Sequence, residues 1–262
     1  MFANERQNKI LAIIRKSGAV STSDLVEQFN VSTETIRRDL LHMENSGLLS
    51  RVHGGAVQKG TMQTFSDLKG RSLEHSNEKS NLSKKATEFI SEGDIIGIDT
   101  GSTAILFAEE IRKKFSSLTV ITHSLDVFNL LSDYKDFKVI LCGGHFLPNE
   151  RSFFGPLTAN MIDSLHFQKV FLCPMAVSLK FGISDFSREL FQIQQHLLRS
   201  ADEVYILADS SKFEKNAIMK LDDMKDSYTY ITDGNLPCEL KKLYSENNIK
   251  IYTGDKDNDI NE

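Results

Sequence analysis

The chain has 262 residues, 40% hydrophobic and 26% charged, with a net charge of -5; this excludes a disordered polyelectrolyte and fits a small domain beside one of ordinary size. Met1 to Arg6 is polar, with no signal-like apolar run behind it, and no stretch approaches the ~18 apolar residues of a membrane span, so the expectation is a cytoplasmic chain with no membrane partner. Cys142, Cys173 and Cys238 stand apart without a C-x-x-C pair, which argues against a disulfide framework or a zinc site and for reduced thiols.

Charge is unevenly divided. Eight basic against six acidic side chains give the first sixty residues +2, leaving -7 for the rest, a distribution that permits a nucleic-acid partner at the amino end. Within that segment Ile10, Leu11, Ile13 and Ile14 mark a first helix from Asn4 to Lys16, closed by Ser17-Gly18. Ser21 and Asp24 form a capping box for a short second helix carrying Leu25, Val26 and Phe29. Ser32 caps a third helix that runs to about Asn45, with Glu34 in its first turn.

At 100° per residue, Ile36, Leu40 and Met43 of the third helix share one face, Thr35, Arg38 and His42 lie opposite, and Arg37 sits on the flank. A short helix, a tight turn and a polar helix with paired arginines is the pattern that enters a major groove. Leu48 to Val52, the turn His53-Gly54-Gly55 and the returning Ala56-Val57 then predict a two-stranded wing, placing Arg51 and His53 toward the backbone or minor groove. The alternative is a generic three-helix module whose arginines form a solvated face.

The blocks Val31-Ser-Thr-Glu-Thr-Ile-Arg-Arg-Asp-Leu40 and Gly47-Leu-Leu-Ser-Arg-Val-His-Gly-Gly-Ala56, in this order and spacing, resemble the DNA-binding head of the DeoR family of bacterial transcription regulators. The resemblance implies a double-stranded DNA operator as partner, with Ser32, Thr33, Thr35, Arg37, Arg38, His42, Arg51 and His53 as candidate DNA-binding residues. The head is assigned to 1–57.

Residues 58–80 are polar and read as a linker with room for a short helix. Over 81–255 apolar runs alternate with helical stretches. Strands are expected at Ile95–Ile98, Leu118–Thr122, Val139–Cys142, Lys169–Cys173, Val204–Ala208, Tyr228–Thr232 and Ile249–Tyr252, and helices at Ser102–Lys114 and Leu125–Leu131. This predicts an α/β class: an open, mainly parallel sheet covered by helices, followed by a frayed tail at 256–262.

Ligands in such sheets sit outside the carboxyl ends of strands. The first such loop, Asp99-Thr100-Gly101-Ser102-Thr103-Ala104, offers a glycine for close backbone approach, two hydroxyls and a helix N-terminus, either as a phosphate cradle or as an ordinary capped turn. Gly143-Gly144 and the Asp209-Ser-Ser-Lys212 turn also follow strands; Lys212 offers a cation and Asp209 an acceptor for a hydroxyl.

Asp99-Thr-Gly-Ser-Thr103, Val120-Ile-Thr-His-Ser-Leu125, Gly143-Gly144, Phe154-Gly155, Leu207-Ala-Asp-Ser-Ser-Lys-Phe213 and Ile231-Thr-Asp233 resemble the effector domain of the same family. That resemblance implies a fold like ribose-5-phosphate isomerase and a small phosphorylated metabolite as effector. The candidate effector residues are Asp99, Thr100, Gly101, Ser102, Thr103, Ala104, His123, Gly143, Gly144, Glu189, Asp209 and Lys212. His123 replaces a common Asn, Gln168 opens a segment where an Asp is usual, and Gln194 stands near Glu189 where a lysine is usual, so the sugar-facing side is expected to be altered. A homo-oligomer, dimeric or tetrameric, suits a symmetric operator. An isomerase-type enzyme is the competing reading, since the same Gly-Ser-Thr loop would serve it. No catalytic residue, cofactor or metal is assigned; the seven histidines are scattered without ligand spacing.

Overall fold

The computed structural model describes residues 3–17, 19–52, 54–58, 68–134 and 136–254. The amino-terminal part comprises α1 (Ala3–Ser17), β1 (Ala19–Ser21), α2 (Thr22–Phe29), α3 (Thr33–Asn45), β2 (Leu49–Val52) and β3 (Gly55–Gln58). Both expected caps form: Ser21 Oγ accepts from Asp24 N at 3.0 Å, and Ser32 Oγ from Thr35 N at 3.2 Å. Ile10 and Ile14 of α1, Leu25 of α2, and Ile36, Leu40 and Met43 of α3 close one small core. Asp39 is buried with them, paired with Arg6 Nε at 2.5 Å and with Gln7 Nε2 at 3.1 Å. Inside a segment read for its arginines, this acid fastens α3 to α1.

The wing differs from the expected two strands. β1 joins β3 opposite β2, giving the order β1-β3-β2 with Val20 opposite Ala56 and Arg51 opposite Ala56 on the other side. The reason is the close approach at Gly55, where a Cβ would lie 2.1 Å from Val20 O.

Residues 59–67 and 256–262 lie outside the described residues. The chain continues as α4 (Leu68–Leu73) and α5 (Ser76–Ala86), then alternates: β4 (Ile95–Ile98), α6 (Ser102–Lys114), β5 (Thr119–Thr122), α7 (Leu125–Leu131), β6 (Lys138–Leu141). A hairpin of β7 (His145–Leu147) and β8 (Ser152–Phe154) leads to α8 (Pro156–Asp163) and β9 (Phe167–Leu172). Next come β10 (Ala176–Ser178), β11 (Gly182–Asp185), α9 (Arg188–Arg199), β12 (Ala201–Leu207), β13 (Met219–Asp222), β14 (Thr229–Thr232), α10 (Cys238–Glu246) and β15 (Ile251–Thr253).

Among the described residues, seven strands form one parallel sheet in the order β15-β14-β12-β9-β4-β5-β6, and all seven belong to runs expected from the sequence. Helices cover both faces, which is why the strands read as unbroken apolar runs and not as alternations. Ile96, Ile98, Phe171, Tyr205 and Leu207 pack with α5, α6 and α7, while Val170, Leu172, Val204, Ile206 and Tyr230 face α8, α9 and α10. At about 1.5–3 kcal/mol per buried large side chain, these two layers hold the sheet. β10, β11 and β13 form a separate antiparallel sheet outside the expected strands. No helix among the described residues is long and apolar enough to cross a membrane.

Candidate nucleic-acid interface and anion site

Along one side of α3, Ser32, Thr33, Arg37, Arg38 and His42 are exposed and Thr35 is half-buried. Ser32 and Thr35 are engaged with each other, their hydroxyls 2.9 Å apart. Arg38 Nε donates to Glu34 Oε1 at 3.2 Å, an exposed i,i+4 pair worth about 0.3–0.5 kcal/mol. A guanidinium so weakly held is available to a phosphate or a guanine edge. Arg51 is held more firmly: its backbone N and its Nε reach Glu44 at 2.8 and 2.7 Å. The Arg51 backbone hydrogen bond, opposed by partial burial and aided by the guanidinium, keeps the Glu44 carboxyl below its usual range. Arg51 thus braces the wing against α3. His53 lies outside the described residues.

The candidate anion site follows from strand order. Successive connections from β4 run outward through β5 to β6, then return to β9 on the other side of β4, so the loops after β4 and β9 diverge and leave a crevice between them. Gly101 at the head of α6 has φ 105° and caps the helix with no side chain, and the first turn carries no acid. Three features therefore coincide at one point: the positive end of a helix dipole, unfilled N–H positions and a backbone that a ligand can approach. Thr103 Oγ1 is buried there without a partner, and a buried hydroxyl left unpaired is costly unless something else meets it. Lys212, nearly buried, donates from Nζ to Pro174 O at 2.9 Å. Arg71, Glu150, Asp185 and Gln194 line the remaining sides.

Beneath the loop lies a polar network. Asp99, fully buried, takes His123 Nε2 on Oδ1 at 3.1 Å and both Cys173 N (3.0 Å) and Gln194 Nε2 (2.9 Å) on Oδ2. His123 Nδ1 meets Phe153 O at 2.9 Å, so both ring nitrogens face acceptors. The Gln194 amide also donates to Asp185 Oδ2 at 3.1 Å, bridging two carboxylates, and its own Oε1 is buried without a partner. Burial, the largest influence on Asp99, works to raise its carboxyl, but His123, the Cys173 N–H and Gln194 together hold it below its usual range. At Asp185 burial dominates, the negative Asp99 adds to it, and the carboxyl is pushed up to about 6.

The sequence-derived set is thus only partly gathered. Thr100, Gly101, Ser102, Thr103 and Lys212 line the crevice and Ala104 is buried in the first turn behind them, while Asp99 and His123 lie in the buried network behind it, joined to its lining through Cys173 and Gln194. Asp209 is turned into its own 3-10 turn, accepting from Ser211 N at 3.1 Å. Glu189 binds Ser187 Oγ at 3.0 Å at the start of α9. Gly143 O accepts from Thr158 Oγ1 at 3.1 Å, and Gly144 lies against Thr158 and Phe154 near the end of edge strand β6. The segment that Gln168 opens reaches the crevice only at its other end: Gln168 is exposed at the amino end of β9, accepting from Ile95 N at 2.8 Å, while Cys173 lines the crevice and Pro174 O accepts from Lys212. Gln194 does sit in the crevice. Asp185, Arg71 and Glu150 were missed. Asp185 ends a strand with no alternation to reveal it, and Arg71 lies in the polar stretch read as linker. The legible clue was Gln194, a polar residue in the buried stripe Leu190, Ile193, Gln194, Leu197 of α9.

Known proteins are similar to this chain over both of its parts. Residues 6–61 match the DeoR-like helix-turn-helix domain and residues 74–234 the DeoR C terminal sensor domain. The chain is 31% identical to the L-fucose operon activator of Haemophilus influenzae over 94% of its own length and 98% of that protein's. It is 34% identical to the lactose phosphotransferase system repressor of Streptococcus mutans, over 93% and 97%. Among solved structures, ribose 5-phosphate isomerase A from Neisseria gonorrhoeae is 20% identical with a TM-score of 0.39, the match covering 52% of this chain and about half, 52%, of that one.

Proposed function

The chain belongs to the DeoR family of transcription regulators, and from that premise we propose that it is a cytoplasmic, DNA-binding repressor of a carbohydrate-catabolism operon whose operator affinity is set by a phosphorylated sugar or related metabolite. The observation that carries this reading is the uncapped α6 N-terminus at the switch point of the sheet, with the orphaned Thr103 hydroxyl and Lys212 beside it, in a chain whose α3 presents Arg37 and Arg38 outward. The phosphate rests on Gly101 to Thr103 and Lys212, and the hydroxyl-bearing end points toward Asp185 and Gln194. In the head, Arg37, Arg38, Thr33 and His42 face the duplex, with Ser32 and Thr35 shaping the helix start and Arg51 the wing. The protein acts as a homo-oligomer, matching a repeated or palindromic operator.

Turnover is the second reading, and Asp99 weighs against it: the loop carboxylate lies under the crevice, committed to three donors, where a general base would need reach to a substrate proton. Isomerisation of a pentose phosphate by the purified protein would favour it. The main test is fluorescence anisotropy with DNA from upstream of its own gene, at several salt concentrations, with and without sugar phosphates. Arg38→Ala is expected to weaken binding and reduce the slope of log K against log salt by about 1. A bound phosphate ester is expected to shift operator affinity by roughly 5–150-fold. Specific binding that no ester alters would refute the effector half alone.

A further inference from the structure

An ion pair that belongs to neither loop forms one side of the crevice. Arg71 of α4 meets Glu150, in the turn between β7 and β8, with two parallel contacts: Nη1 to Oε1 at 3.0 Å and Nη2 to Oε2. Both side chains are nearly buried, 12% and 13% exposed, and both line the crevice together with Thr100 to Thr103 and Lys212. Thr100 Oγ1 also reaches Glu150 O at 3.4 Å. The space between these groups is about 20 Å³, the room that one water needs. As the side chains stand, that room is too small for a phosphate.

Two further cations, Lys79 and Lys212, stand near this pair, among the acids Asp209 and Glu74. Lys79 of α5 is buried with Nζ on two carbonyls, Arg71 O at 2.5 Å and Glu74 O at 2.6 Å, so it holds the last turn of α4 in place. Burial first, and then the positive Lys212, lower the Lys79 ammonium to about 8. A guanidinium fork binds carboxylate and phosphate in the same two-point manner. A dianion placed on the α6 N-terminus would therefore offer Arg71 a second partner beside Lys212.

We propose that Arg71 is a ligand-binding residue of the effector site and that Glu150 is its resting counter-ion: the phosphate takes Arg71 from Glu150, and α4, the first described element after the head, moves with it. This rests on the effector reading above and adds the residue through which occupancy reaches the segment joined to the head. The exchange makes phosphate binding and the position of α4 a single equilibrium, so that each biases the other.

The test uses the full chain as wild type, Arg71→Ala, Glu150→Gln and the double variant Arg71→Ala/Glu150→Ala, with circular dichroism and Tm reporting the fold. The probes are inorganic phosphate, glucose 6-phosphate, fructose 1-phosphate and ribose 5-phosphate, measured by calorimetry and then in the operator titration. Glu150→Gln is expected to bind the phosphate probe at least fivefold tighter than wild type and, without ligand, to shift operator affinity in the direction the ligand shifts wild type. Arg71→Ala is expected to bind at least tenfold weaker, with operator affinity changing less than twofold on ligand addition, and the double variant to bind no tighter than Arg71→Ala. A folded Glu150→Gln with unchanged phosphate affinity overturns the exchange, as does an Arg71→Ala that keeps full modulation. If Glu150→Gln does not fold, the comparison of the double variant with Arg71→Ala decides: tighter binding by the double variant overturns it. Wild type that binds none of the probes overturns the effector reading itself, a different outcome from binding with no response to these substitutions.

Discussion

Asp185→Asn is expected to stabilise the ligand-free protein at neutral pH and to destabilise it in acid. In the folded chain the Asp185 carboxyl ionises near 6, against an ordinary 3.8, because it is fully buried and faces Asp99. At 1.36 kcal/mol for each pH interval, the charged form at pH 7.5 costs about 3 kcal/mol relative to the unfolded chain. Between pH 3.8 and 6 the folded state holds more protons than the unfolded one, so this contribution favours folding below 3.8 and is lost as pH rises through 6. Asparagine removes the charge and keeps an oxygen for Phe186 N and Ser187 N, the two backbone donors on Asp185 Oδ1. It gives up the acceptor for Gln194 Nε2, a loss of about 1 kcal/mol. The net is a gain of about 2 kcal/mol at pH 7.5, or ~4–8 °C in Tm for a domain of this size, turning to a loss of about 0.5 kcal/mol near pH 4. Thermal unfolding of both proteins from pH 4 to 8 measures this. An equal shift at every pH would mean that Asp185 carries no proton-linked cost, and the argument would fail.

Asp39→Ala, which removes the carboxylate that Arg6 and Gln7 share, is expected to cost the head about 1–3 kcal/mol; operator binding should be lost at a lower temperature while phosphate binding by the body is unchanged, and equal losses in both would contradict it. Gly101→Ala meets no atom within 4 Å but must hold φ 105°, a backbone cost of about 1–3 kcal/mol. Calorimetry should show phosphate affinity reduced at least tenfold with DNA affinity intact, and an unchanged affinity would remove the α6 N-terminus from the site.

The framework of the molecule was legible because its signals are local. Ser102–Lys114 and Leu125–Leu131 are helices with the expected limits, and Ser21 and Ser32 cap as expected, since a cap and its partner lie three residues apart. The seven central strands were legible for a different reason: a strand covered on both faces is apolar throughout. What escaped depends on long-range pairing. No local pattern announces that Gln194 will bridge Asp99 and Asp185, or that Arg71 will cross to Glu150. The strands of three or four residues in β7, β8, β10, β11 and β13 are too short for a period to show. Asp209 shows the converse, a residue of suitable chemistry whose local turn absorbs it.

Strand order also has a consequence in time. The head's core closes on residues from Ile10 to Ala56, whereas the crevice exists only after β9 has docked beside β4, Gly97 against Val170, and after Gln194 and Lys212 have been made. At ~5–20 residues per second, synthesis from the end of β3 to Lys212 takes roughly 8–30 s. During that interval every residue of the head's core has been made and the crevice has not, and a product terminated within it would carry the arginines of α3 without Lys212 and the crevice it completes.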